Sequence, residues 1–203
     1  VSRLYVYIVR YDIGFAPNPF YGFCTLATCK PGIRGGATIG DWVSGIGSKA
    51  KDQQGKLVFA MRVEEALSYD QYWSDPRFQQ KKPNLFGSLK QRYGDNIYHR
   101  SPDGGVWIQE DSRHSREDGS PHMRHIERDT SSPRVLISET FVYHGNNAIE
   151  IPASFRNWRG KDICGCGRNY RCNFPEDLQV TFTTWLESQV SLGIAGEPVD
   201  WSS

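Results

Sequence analysis
Residues 3–11 (RLYVYIVRY) set Leu4, Val6 and Ile8 against Tyr5, Tyr7 and Val9. This period of two, in β-branched and aromatic residues, predicts a strand buried on at least one face. Residues 56–65 (KLVFAMRVEE) and 134–143 (RVLISETFVY) predict two further strands, and residues 39–45 a turn that enters another. Residues 96–100 and 106–110 read as short strands joined by the turn Ser101-Pro102-Asp103-Gly104-Gly105. One or two helical turns are expected at 68–73, and another short helix with Asp75 as cap and Pro76 in its first position. Over 176–191, Leu178, Phe182, Trp185, Leu186 and Gln189 recur at helical spacing and predict a closing amphipathic helix.

Elsewhere the period is lost. Residues 12–38 are broken by repeated Gly and Pro and read as loop, with room for a short helix around 25–29. Residues 79–96 are polar and rich in breakers, 111–132 are dense in charge, and 148–172 are irregular. The sum is an α+β fold: a curved mixed sheet or a small β-barrel, with short helices and a C-terminal helix. No βαβ alternation with a glycine fingerprint is present, so a dinucleotide-binding fold is not expected. With 203 residues and neither repeat nor linker, the chain is expected to form a single domain over 1–203. Its core runs from about 3 to 190, with long functional loops at 12–38 and 111–132.

Composition narrows the setting. No apolar run approaches the ~20 residues a membrane span needs. No charged start leads into an apolar core, so no secretion signal is expected. Five cysteines in no even framework indicate free thiols and a reducing, cytoplasmic compartment. The net charge of +1 hides a mildly basic middle, with 11 Lys/Arg against 8 Asp/Glu over 77–134. That balance permits a polyanionic partner without demanding one.

Two polar segments carry the candidate chemistry. Residues 10–30 (RYDIGFAPNPFYGFCTLATCK) gather an arginine, an aspartate, an asparagine, two cysteines and five aromatics. Residues 99–129 carry four of the five histidines. The expectation is that the two segments share one pocket sized for a nucleobase. Tyr11, Asn18, Asp41, Trp42 and Ser48 are its candidate base-binding residues, with the Trp42 indole as stacking floor. Gly45 and Gly47 are read as leaving room for a ligand beside the backbone. Lys30, Arg34 and Arg100 are candidate phosphate ligands. A catalytic thiol at Cys24 or Cys29 is an alternative, since Lys30 and Arg34 make the neighbourhood electropositive. Its minimal machinery is Cys24 as nucleophile, Asp12 as base and His99 as proton shuttle.

Metal binding is not assigned. The runner-up is a zinc ion on Cys24, Cys29, Cys164, Cys166 and Cys172, but the spacings C-x4-C and C-x-C-x5-C depart from zinc knuckles. His114, His122, His125 and Asp129 match no metal motif and read as a polar loop that covers a substrate. No phosphate loop and no fingerprint for a methyl donor or flavin is visible.

Residues 10–34, 40–48 (GDWVSGIGS), 94–99 (GDNIYH), 134–138 (RVLIS) and 166–172 (CGRNYRC) together resemble the nucleotide modification associated domain of the second type. The resemblance covers roughly residues 3–190. That family occurs in bacteria and their phages and was proposed from genome context to make or handle modified bases in DNA. It implies a pathway, with DNA or a nucleotide carrying a modified base as partner, and no reaction. A looser similarity links Gly40-Asp41, Gly55, 58–63 and 68–73 to the pseudouridine-synthase-and-archaeosine-transglycosylase (PUA)-like folds, which include readers of modified bases.

Overall fold
A computed structural model describes residues 2–167, 169–190 and 193–201. The chain divides into two compact units, each assembled from separate segments: one from 1–12, 37–64 and 138–203, the other from 13–36 and 65–137.

The first unit is built on a curved mixed sheet of seven strands, and the described residues do not close it into the small barrel anticipated as an alternative. Its strands are β1 (Leu4–Val9), β3 (Trp42–Gly47), β4 (Lys56–Arg62), β9 (Phe141–Tyr143), β10 (Ile149–Glu150), β11 (Tyr170–Arg171) and β12 (Gly193–Ile194). Their order is β11-β1-β3-β4-β9-β12, with β10 added to β4. β1 and β3 run parallel, in register from Leu4 opposite Trp42 to Val9 opposite Gly47. Parallel neighbours need a long crossover. The chain supplies one by leaving for residues 13–36 of the second unit before it returns.

Helix α6 (Glu176–Glu187) buries Leu178, Phe182 and Leu186 of the five positions its period named, while Trp185 is half-buried and Gln189 lies beyond the helix. The three buried side chains close a core with Leu4, Val6, Trp42, Ile46, Leu57, Ile151 and Phe155. Short helix α5 (Ala153–Arg156) contributes the Phe155 ring. Trp42 is only 1% exposed, so its indole is a packing anchor with no open face to stack a base. Gly45 and Gly47 are also explained by packing. A Cβ on Gly45 would meet the Phe59 ring at 2.3 Å, and one on Gly47 would meet the Gln53 Cβ at 2.3 Å. The room attributed to a ligand is filled by the protein's own atoms.

The second unit has a three-stranded sheet, β2 (Cys24–Leu26), β8 (Arg134–Ser138) and β5 (Glu65–Ser68), in the order β2-β8-β5. A hairpin of β6 (Tyr98–Arg100) and β7 (Trp107–Gln109) forms as its turn signal predicts. Four helices accompany them: α1 (Pro31–Gly36), α2 (Tyr69–Ser74), α3 (Leu89–Arg92) and α4 (Met123–Thr130). α2 starts with a reciprocal capping box between Ser68 and Gln71. The core is aromatic, with Phe15, Tyr69, Tyr72, Phe78 and Tyr98 around Ile97, Ile126 and Val135.

Two departures from the sequence reading have local causes. The single strand expected over 134–143 is two strands of different sheets, bent at Glu139-Thr140. The Glu64 carboxylate holds that bend by accepting the N–H groups of Glu139 (2.6 Å) and Thr140 (3.0 Å). Residues 111–132, read as loop, contain α4, whose buried residues are Ile126 and Asp129. A helix that buries a carboxylate leaves no apolar period to detect.

Candidate active site
Asp129 is fully buried, and each of its oxygens is committed. Oδ2 accepts from the His114 ring at Nδ1 (2.8 Å) and from the Tyr98 hydroxyl (3.0 Å). Oδ1 accepts from the Cys29 backbone N–H (3.1 Å) and from Arg128 Nε (3.2 Å). Burial alone would raise the pKa of this carboxyl. The hydrogen bond from His114 and the positive charges of His114, Arg128 and Arg34 outweigh burial and hold it below the usual carboxylate range. An ionised carboxylate only accepts, so the proton lies on His114 Nδ1. Nε2 is then left to face the Cys29 sulfur at 3.7 Å.

The result is a Cys29–His114–Asp129 relay, in which thiol, imidazole and carboxylate follow one another in the order that activates a nucleophile. Burial acts to lower the His114 pKa, but the hydrogen bonds to Asp129 and Cys29 carry it upward overall. A raised pKa lets the imidazole hold the thiol proton. Arg128 Nη2 lies 4.0 Å from the sulfur and adds positive charge where a thiolate would form.

Local sequence explains how Cys29 reaches this place. It follows β2 and precedes α1, with Pro31 as the first helical residue. Cys29 and Lys30 both take left-handed backbone angles, φ +57° and +39°. Such a strand-turn-helix corner holds a side chain out from the backbone at the cost of local strain. Arg34 locks the corner. Its fully buried guanidinium donates to the carbonyls of Cys29 (2.8 Å), Ser132 (2.9 Å), Arg134 (2.7 Å) and Asp129 (2.6 Å). The Tyr69 hydroxyl adds bonds to the carbonyls of Ala27 (2.8 Å) and Asp129 (3.1 Å).

The same three side chains are the one group of metal-ligating residues whose donor atoms fall within 4.8 Å of one another among the described residues. Their chemistry fits a relay better than a chelate. Asp129 sits behind the imidazole on Nδ1, so an ion at Sγ and Nε2 would have two protein ligands where structural zinc takes four. None of Cys24, Cys164, Cys166 and Cys172 belongs to the group.

The two polar segments therefore do meet, through residues other than those placed first. Cys24 lies in the core of the second unit, fully buried, and burial pushes its thiol up to about 12, the reverse of activation. Burial likewise raises Cys164 to about 12. Asn18 accepts from Lys81 Nζ (2.7 Å) in a closed polar network and is itself fully buried. Arg34 has no face left for phosphate. His99 stacks on Trp73 at 4.1 Å and pairs with Glu110 (2.9 Å), while the Arg100 guanidinium lies over Trp107 at 4.3 Å. Lys30 is part of the Cys29 corner and is half-buried.

Asp12, Tyr11, Asp41, Trp42 and Ser48 belong to the first unit. Asp12 is a fastening point for the C-terminal segment. Its carboxylate accepts from the Tyr143 hydroxyl and the Val199 N–H, and its backbone N–H donates to Asp200 (2.7 Å). Asp41 holds its turn by accepting from the N–H groups of Arg3 (2.7 Å) and Thr38 (2.8 Å). Ser48 is buried and Tyr11 exposed. The sequence signal for the relay was the pair His114 and Asp129 in a polar loop, which reads as surface charge until α4 turns Asp129 inward.

None of the described helices is long and apolar enough to cross a membrane. No curated protein and no solved structure matches the chain. A family model, nucleotide modification associated domain 2, matches residues 1–203. The match spans both units, and the chain therefore belongs to the nucleotide modification associated domain 2 family.

Proposed function
We propose that this protein is a thiol-dependent enzyme of a bacterial or phage nucleotide-modification system. Its family is associated with nucleotide modification, which supports placing it in such a system. The observation that supports the enzymatic reading is the relay, with His114 Nε2 3.7 Å from Cys29 Sγ and Nδ1 2.8 Å from Asp129. In the first step the Cys29 sulfur displaces a leaving group from an electrophilic carbon of the nucleotide or of the group being attached to it, and Nε2 takes the thiol proton and passes it to the departing atom. In the second step water or an acceptor amine or hydroxyl attacks the same carbon, Nε2 takes its proton, and the carbon–sulfur bond breaks as that proton returns to the sulfur. Asp129 keeps the ring in the required tautomer throughout. Five free cysteines suit a reducing, cytoplasmic setting near the nucleotide pool.

A second reading, base binding without turnover, is supported by a cleft of about 460 Å³ lined by Trp73, His99, Arg100 and Ser101. That volume lies within the range of small-molecule sites.

Mass spectrometry of nucleosides from DNA and from the nucleotide pool separates the two readings. Cells carrying the intact protein are compared with cells carrying Cys29→Ser. The enzymatic reading expects a nucleoside that appears or vanishes only with the thiol. Identical profiles, together with retained binding of a modified base, favour the binding reading.

A further inference from the structure
The loop over 83–88 exposes one aromatic ring and gives it rigid support. Phe86 is fully exposed. Its backbone is nevertheless held: the Phe86 N–H donates to Asn84 Oδ1 (3.1 Å), the Gly87 N–H to the Asn84 carbonyl (3.0 Å), and the Asn84 N–H to the Gln91 carbonyl (2.9 Å). Arg92 Nε reaches the Leu85 carbonyl (3.3 Å), and Ser88 and Gln91 form a capping box at the start of α3. A ring held in this way is presented in a fixed place, so stacking against a planar partner costs little further ordering.

Charge indicates the partner. Residues 79–94 contain Lys81, Lys82, Lys90 and Arg92 and no Asp or Glu. Lys81 is buried, while Lys90 and Arg92 are exposed on either side of Gln91. Lys82 extends the surface toward the cleft, since its ammonium lies 3.5 Å from the centre of the Trp73 ring that lines it. Glu110 lies near Lys82 and Asp70 lines the cleft, so the cationic end of this surface is the stretch around Lys90 and Arg92. A cationic stretch with a projecting ring matches a phosphate backbone with an unstacked base.

We infer that this loop docks a single strand of nucleic acid, with Phe86 stacked on a base and Lys90 and Arg92 on flanking phosphates. The inference rests on the nucleotide-handling reading and deepens it, by naming a polymer and not a free nucleotide as the partner. A membrane surface fits less well. One ring beside the partly exposed Leu89 is less apolar area than stable membrane attachment requires.

Fluorescence anisotropy of the full chain with a labelled single-stranded deoxyoligonucleotide tests it, at low and at raised salt. Phe86→Ala is expected to weaken binding about tenfold, the scale of one lost base stack. Lys90→Ala with Arg92→Ala should weaken binding and flatten its salt dependence. The readout is binding without turnover, so a failure of the thiol chemistry leaves this result standing. Equal binding by Phe86→Ala, no binding of the oligonucleotide at low salt, or Phe86-dependent binding to anionic lipid vesicles in its place would each overturn the inference.

Discussion
The backbone N–H of Cys29 donates to Asp129 Oδ1 at 3.1 Å, across 100 residues of sequence. The carboxylate that holds the His114 ring therefore also fixes the backbone of Cys29. Removing it should loosen both partners at once.

Asp129→Asn keeps the shape and removes the charge. The amide meets the His114 N–H, the Tyr98 hydroxyl and the Cys29 N–H with one acceptor fewer. The loss of a buried charge partner is expected to cost about 3–5 kcal/mol of stability. Urea unfolding monitored by tryptophan fluorescence measures it. In the folded protein, the rate of Cys29 alkylation should also fall.

Arg34→Lys tests the lock on the reactive corner. Lysine keeps the charge but cannot satisfy four carbonyls in a planar fork. A loss of roughly 2–3 kcal/mol is expected, within the range for hydrogen bonds to a charged group. A variant as stable as the parent would show that the corner holds without the guanidinium.

Trp42→Ala should act as a core truncation, with a loss of about 3–5 kcal/mol in unfolding experiments. Its effect on nucleotide affinity, measured on the folded fraction, should be absent, because the indole is closed within the core of the first unit.

The pH dependence of stability follows from two histidines with opposite shifts. Burial, then the positive charges of His114, Arg128 and His122, lowers His125 to about 4. The unfolded chain, near 6.5, takes up that proton first, so His125 contributes stability above about 6.5 that is lost as pH falls toward 4. The raised His114 acts the other way: its contribution is full below the unfolded value and is lost as pH rises through the folded one. In thermal melts from pH 7 to 4, His125→Asn should flatten the decline. An unchanged slope would show that acid destabilisation arises elsewhere.

The regular parts of the fold were legible because they follow a period. β1 and α6 carry clean patterns of two and 3.6, and the β6–β7 hairpin carries its turn residues in order. The reactive corner carries none of these. Cys24 and Cys29 look equivalent in sequence, and only packing separates a sealed thiol from one that meets His114. Asp129 lies among Arg124, Glu127 and Arg128, where a carboxylate reads as solvated. Its burial depends on partners 15, 31 and 100 residues away, which no local window contains. Trp42 misled for the converse reason, since an indole serves equally as a stacking floor and as a core anchor.

The most direct measurement is the rate at which iodoacetamide labels each cysteine at neutral pH, read by peptide mass spectrometry in the native chain and in His114→Asn. Cys29 should be labelled faster than a free thiol and Cys24 spared, and His114→Asn should slow Cys29 by about 100-fold or more, the lower end of general-base assistance. Equal labelling of Cys29 with and without the imidazole would contradict it.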